Sequence, residues 1–125
     1  MIVGIGIDLV DIVRMKQVLE RWGKRFIERV FTGDEKEYAL SKRYPHIHLS
    51  GRFAIKEALF KAIGGGTNPW IWKEVEIFND RGGAPKIRLY GGLKKLISKK
   101  HITSIHISIS HDHAYSIGQV VLEKK

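Results

Sequence analysis

The chain has 125 residues, 43% hydrophobic and 28% charged, a length and balance that suit one globular domain over residues 1–125. It contains no cysteine, which excludes disulfides and thiolate metal sites, so any metal must sit on oxygen or imidazole. Lys and Arg number 22 against 13 Asp and Glu, and the net charge of +9 favours anionic partners: nucleic acid, an acidic protein or a phosphorylated small molecule.

In chain order, IVGIGID at 2–8 reads as a buried strand ending in the carboxylate of Asp8, because short apolar runs with β-branched residues and close-packing glycines favour strand over helix. The surrounding run, MIVGIGIDLVDIV, is too short to span a bilayer and is interrupted by Asp8 and Asp11. It also lacks the marks of a signal peptide, so a cytoplasmic location with no membrane partner is expected. GIGID is not the dinucleotide fingerprint either, since the third glycine is missing.

Asp11 is placed to cap a helix over about 12–22 that ends near Gly23, with further helical turns through KRFIERVF. Thr32 and Glu35 in TGDE fit a capping box and predict a helix over about 33–42. Pro45 is read as a break, with the next helix starting at Ser50 or a few positions earlier. That helix carries RFAIKEALFKAIGGG, whose apolar stripe of Ala54, Ile55, Ala58, Leu59, Ala62 and Ile63 should face a core. EVEIFN and KIRLY predict a hairpin across the turn DRGGAP, and a short basic helix spans about 91–100. The strands SIHISIS and AYSIGQVVL close the chain around a tight HDH connection. The result is an α+β single domain: an N-terminal strand, a helical middle and antiparallel C-terminal strands.

Glu57 and Lys61 stand four apart, one above the other on a helix face. Alone, such a pair is an ordinary surface ion pair worth about 0.2–0.5 kcal/mol. Three glycines, Gly64, Gly65 and Gly66, follow, more than a helix stop requires, and extra glycines let backbone N–H groups approach an anion closely. A flexible loop remains the alternative reading of them. Asp8 supplies a second carboxylate from a separate element. Two carboxylates, a lysine and a glycine loop make a coherent Mg²⁺–phosphate site, because Mg²⁺ is typically held by one or two carboxylates plus substrate phosphates. The imidazoles of HIH (46–48) and HDH (111–113) lack zinc spacing and are read as surface or phosphate-contacting groups. Arg14, Arg21, Lys24, Arg25 and Arg29 alternate with apolar residues along the first helix. That pattern suits either a solvated face or docking to an acidic helix.

Five stretches, GIGIDLVDIVR, RVFTGDE, GRFAIKEALFKAIG, NDRGGAP and ISISHDHAYSIGQVVL, together resemble the holo-acyl-carrier-protein synthases, the small bacterial type of 4′-phosphopantetheinyl transferase. The resemblance covers nearly the whole chain in order. It implies the 4′-phosphopantetheinyl transferase fold and transfer of the phosphopantetheine arm of coenzyme A to a serine of apo acyl carrier protein, in support of fatty acid biosynthesis. It further implies Mg²⁺ dependence and a homotrimer with active sites between subunits. Carried over by motif position, Asp8 and Glu57 hold the metal, and Lys61 contacts the pyrophosphate; these three are the catalytic set. Arg43, Arg52 and His111 reach the 3′-phosphate region of coenzyme A, and Gly64, Gly65, Gly66 and Pro85 line the nucleotide pocket. Arg14, Arg21, Lys24 and Arg25 dock the carrier protein. The proton acceptor is left open between Glu57 and a water beside Asp8 and the metal. The competing class is a basic nucleic-acid-binding domain, which the absence of ribonucleoprotein, KH and zinc-finger patterns argues against; a Mg²⁺-dependent phosphohydrolase is a third reading.

Overall fold

Residues Ile2–Asp11 form strand β1, which runs beyond the 2–8 stretch marked in the sequence. Leu9, Val10 and Asp11 continue its antiparallel ladder to Ile117, Ser116 and Tyr115, so Asp8 lies inside the strand rather than at its end. The computed structural model of the protein describes residues 1–64 and 69–125.

Helix α1 spans Ile12–Val30 and begins where the Asp11 carboxylate accepts the Arg14 N–H at 3.0 Å. Gly23, at φ 48°, bends it into two helical segments, matching the expected stop and restart. Helix α2, Gly33–Leu40, opens on the expected capping box, in which Thr32 N–H donates to Glu35 Oε1 at 2.9 Å and Glu35 N–H to Thr32 Oγ1 at 3.3 Å. Helix α3 runs Pro45–Ile63, which corrects the reading of Pro45 as a break: it occupies the first turn, where its missing N–H has no intrahelical partner to lose.

A 3₁₀ turn, Pro69–Glu74, leads into the hairpin of β2, Val75–Asn79, and β3, Pro85–Leu89, with Ile77 opposite Ile87. Helix α4, Gly91–Lys99, is capped by Glu74, whose carboxylate accepts the N–H groups of Gly92 and Leu93. Strands β4, Ser104–His111, and β5, Tyr115–Glu123, meet at a turn closed by Asp112 Oδ1, which accepts the N–H groups of Ala114 and Tyr115.

The three long strands form one antiparallel sheet in the order β1-β5-β4. Helix α3 lies across β1 and β5, and glycines let it come close. A Cβ on Gly6 would collide with the Ala58 carbonyl, and one on Gly118 would meet the Ala54–Ile55 peptide at 2.7 Å. On β1 the alternate residues Gly4, Gly6, Asp8 and Val10 therefore face α3. Ile5, Ile7 and Leu9 face the other way, 63%, 53% and 59% exposed.

The expected stripe on α3 is buried or, at Ile63, half-buried, and the burial extends further round the helix to Leu49, Phe60 and Lys56. The side chains of Lys56 and Glu35 are both 0% exposed, their Nζ and Oε1 2.7 Å apart. Lys56 Nζ also donates to Val30 O at 2.7 Å and Trp72 O at 2.9 Å, and Glu35 Oε2 accepts the Ile77 N–H at 2.8 Å. Burial pulls the Lys56 pKa down, while the Glu35 carboxylate acts to hold its proton on. Removing either partner strands the other in the core. Lys56→Ala and Glu35→Ala should each cost about 3–5 kcal/mol by urea unfolding, and the double substitution well under their sum.

Candidate active site

Two clefts flank α3. One, of about 420 Å³, is lined by Asp8 of β1 and Glu57 of α3, together with Asp11, Arg14, Phe53 and Tyr115. The pleat of β1 points Asp8 at α3 beside the valine and glycines that pack there, and one turn of α3 separates Glu57 from Lys61. Lys61 Nζ donates to Asp8 Oδ1 at 2.9 Å and to Ile7 O at 3.1 Å. The ordinary surface pair of Glu57 with Lys61 is therefore replaced by a bridge between helix and strand. Among the described residues no ion pair joins Glu57 to Lys61. Burial, and then the neighbouring Asp8 charge, raise the Glu57 pKa, and Lys61 only partly offsets them.

The carboxylates fit Mg²⁺ by their chemistry. Each offers hard oxygen donors, and Glu57 senses the Asp8 charge directly. Among the described residues no three His, Asp or Glu side chains cluster as a metal cage. Two protein carboxylates leave the remaining octahedral positions to water and phosphate oxygens, the arrangement Mg²⁺ prefers.

The other cleft, of about 320 Å³, lies between α2, α3, the β2–β3 turn and the outer end of the β4–β5 pair. Arg52, 4% exposed, donates from Nη2 to Asn79 Oδ1 at 2.9 Å and lays its guanidinium over the Tyr38 ring at 4.3 Å. Its Nε and the hydroxyl of Ser116, 1% exposed, have no hydrogen-bond partner among the described residues. His48, His111 and Pro85 also line it, and among the described residues no Asp or Glu does. Burial, followed by the charges of Arg52, Lys42 and His111, lowers the His48 pKa.

The structure thus brings Asp8, Glu57 and Lys61 together, and separately Arg52, His111 and Pro85. Arg43 is exposed, its guanidinium 5.3 Å from the Tyr44 ring, and is not among the residues lining either cleft. Gly64 ends α3 at φ 76°, its N–H donating to Phe60 O, so it is a helix stop. Gly65 and Gly66 lie outside the described residues. Arg14 lines the carboxylate cleft, while Arg21, Lys24 and Arg25 stand exposed along α1, Lys24 3.8 Å from Glu28. Sequence reasoning missed Tyr38, Asn79 and Ser116 altogether. For His48 a signal was available: it stands four residues before Arg52, hence on the same helix face.

A carboxylate pair bridged by a lysine thus lies on one side of α3, and the buried guanidinium of Arg52 lies on the other. The chain belongs to the 4′-phosphopantetheinyl transferase superfamily, which matches residues 4–119. It is 40% identical over 124 residues to a holo-[acyl-carrier-protein] synthase of Syntrophus aciditrophicus, covering 98% of this chain and 97% of that protein. The crystal structure of the Neisseria meningitidis holo-[acyl-carrier-protein] synthase superposes with a TM-score of 0.92 at 30% identity, covering 99% of this chain and 100% of the other. The Bacillus anthracis enzyme, solved in complex with CoA (3′,5′-ADP), gives a TM-score of 0.81 at 33% identity over 100% and 99% of the two chains. The α+β fold expected from the sequence is therefore the fold of this family.

The raised Glu57 pKa has a consequence for stability. The folded state holds the Glu57 proton more tightly than the unfolded chain, so ionising this group weakens the fold as pH climbs from the ordinary carboxylate range through the folded pKa. Glu57→Gln should therefore stabilise the fold at pH 7, by less than about 1 kcal/mol because the group is only half-buried, and raise the melting temperature accordingly. The gain should vanish below pH 4, where Glu57 is protonated in both states, as thermal scans at the two pH values would read.

Proposed function

We infer that the protein is a single-domain, cytoplasmic, Mg²⁺-dependent holo-acyl-carrier-protein synthase. It transfers the 4′-phosphopantetheine group of coenzyme A to a serine hydroxyl of apo acyl carrier protein, releases adenosine 3′,5′-bisphosphate and thereby serves fatty acid biosynthesis. The observation that carries this reading is the convergence of Asp8 and Glu57 from two elements at one cleft, with Lys61 bonded to Asp8 and a second cleft built around Arg52 across the same helix.

Asp8 and Glu57 would hold Mg²⁺, which when bound supplies charge neutralisation at the pyrophosphate oxygens. Lys61 has three N–H groups, two of them given to Asp8 and Ile7. With over half of its side chain exposed, the third has access to a phosphate oxygen. The serine oxygen attacks the β-phosphorus in line, its proton passing to a carboxylate of this cleft or to water beside it. The bond from the β-phosphorus to the 5′-phosphate oxygen breaks, and the negative charge leaves with the bisphosphate. Positioning and fixed positive charge are what such a transfer requires. Arg52, His111 and Pro85 would receive the nucleotide end, and Arg14, Arg21, Lys24 and Arg25 the acidic carrier.

The apolar row Ile5, Ile7 and Leu9 lies on an edge strand, where an uncovered apolar face invites association. Leu9 also lines the carboxylate cleft, so whatever covers the row reaches the site. A second copy of the chain is the simplest cover. The family resemblance supplies the number three, a homotrimer with active sites between subunits.

Incubation with coenzyme A, Mg²⁺ and apo carrier protein should add one phosphopantetheine to the carrier by mass spectrometry; no gain with several carriers would overturn the reading. Asp8→Ala and Glu57→Ala should each abolish transfer in folded protein, and an active Asp8→Ala enzyme would exclude the metal assignment. Charge reversal at Arg14 and Arg21 should raise KM for the carrier about tenfold with little change for coenzyme A. Ile7→Lys should lower the mass measured by light scattering from three chains to one.

A further inference from the structure

The cleft beside Arg52 gathers more positive charge than its walls balance. His48 sits one helical turn before Arg52 on α3, His111 stands at the end of β4, and among the described residues no Asp or Glu lines the space. The groups that face His48 come from every element around it. Arg52 and His111 act from within the cleft, Lys42 acts from just beyond α2, and the Tyr38 ring meets it edge-on at 5.6 Å. Burial first, and then the charges of Arg52 and Lys42, press the imidazole toward its neutral form. An anion entering the cluster would meet positive charge that no carboxylate among the described lining residues offsets. The buried Nε of Arg52, unpartnered among the described residues, and the unpartnered Ser116 hydroxyl are donors that such an anion would satisfy.

A phosphomonoester has the matching chemistry, with charge between −1.5 and −2 near neutrality and three acceptor oxygens. We propose that His48 is a specificity-determining residue: its ring donates to a terminal phosphomonoester beside Arg52 and so separates a nucleotide that carries this group from the same nucleotide without it. The inference rests on the coenzyme A reading, because that donor bears a phosphomonoester on its ribose. A dianion next to His48 reverses the field the imidazole feels, so binding draws a proton onto the ring near pH 7.

Calorimetry of the whole protein with adenosine 3′,5′-bisphosphate and with adenosine 5′-monophosphate, in buffers of different ionisation enthalpy, tests this without requiring turnover. The wild-type protein should prefer the bisphosphate, with proton uptake on binding and a preference that fades from pH 6.5 to 8.5. His48→Phe keeps an aromatic ring against Tyr38; it should weaken the bisphosphate about tenfold, leave the monophosphate unchanged and reduce the proton uptake. His48→Gln, which retains a neutral donor, should recover part of the affinity but not the proton uptake. Equal losses for both nucleotides, or an unchanged bisphosphate affinity in folded His48→Phe, would overturn the proposal, as would failure of the wild-type protein to bind either. If the bisphosphate is selected through His48 while no carrier protein is ever modified, the inference stands and the transferase reading falls.

Discussion

The ammonium of Lys56 fixes the position from which both clefts are built. Its three donors go to Glu35, to the carbonyl that ends α1 and to the 3₁₀ turn, and Glu35 in turn holds the start of α2 and the backbone of β2. Five segments are tied through one pair of side chains. A buried ion pair is not in itself a large source of stability, because desolvation offsets most of the attraction. Its effect here is directional. With Lys56 locked toward α1 and α2, α3 cannot rotate about its axis, and the next residue, Glu57, is turned about 100° away toward β1.

That rotation would position nothing if α3 stood a normal distance from the sheet. Gly6 and Gly118 remove the side chains that would hold it off, so helix backbone meets strand backbone. The short lysine-to-aspartate bridge at 2.9 Å depends on this approach. Arg52, on the opposite side of the same helix, reaches Asn79 and Tyr38 because α2 and the hairpin are held against α3 by the network around Glu35 and by neighbouring Glu76. That carboxylate accepts from Thr32, Arg88 and Tyr90. Burial acts to raise the Glu76 pKa, but these hydrogen bonds and the Arg88 charge outweigh it and keep it low.

The elements with strong local signals were legible in the sequence. The capping box at Thr32, the Asp11 cap, the bend at Gly23 and the hairpin around DRGGAP each follow from a few neighbouring residues, and each stands where those residues put it. The carboxylate site was legible as a list of residue types, but its wiring was not: local spacing pairs Lys61 with Glu57, whereas a residue 53 positions away takes the bond. Lys56 passed unnoticed for a related reason. In sequence it looks like any helical lysine, and only its place among Arg52, Leu59 and Phe60 on a nearly all-buried helix distinguishes it. Treating Pro45 as a break, rather than as the first turn of α3, hid the fact that His48 and Arg52 share a face. The extra length of β1 is a tertiary effect, since Leu9 to Asp11 are strand because β5 is there to pair with them.

The alternation along β1 joins two properties that are usually adjustable separately. Ile7 and Leu9 present the apolar surface, and Asp8, between them, presents the carboxylate to α3. A strand has only two faces, so a shift of one residue against β5 would exchange the two sets, sending a carboxylate onto the exposed apolar face and an isoleucine toward α3. One register therefore sets both faces: side chains on either can be exchanged independently, but a one-residue slip of β1 against β5 alters the two together.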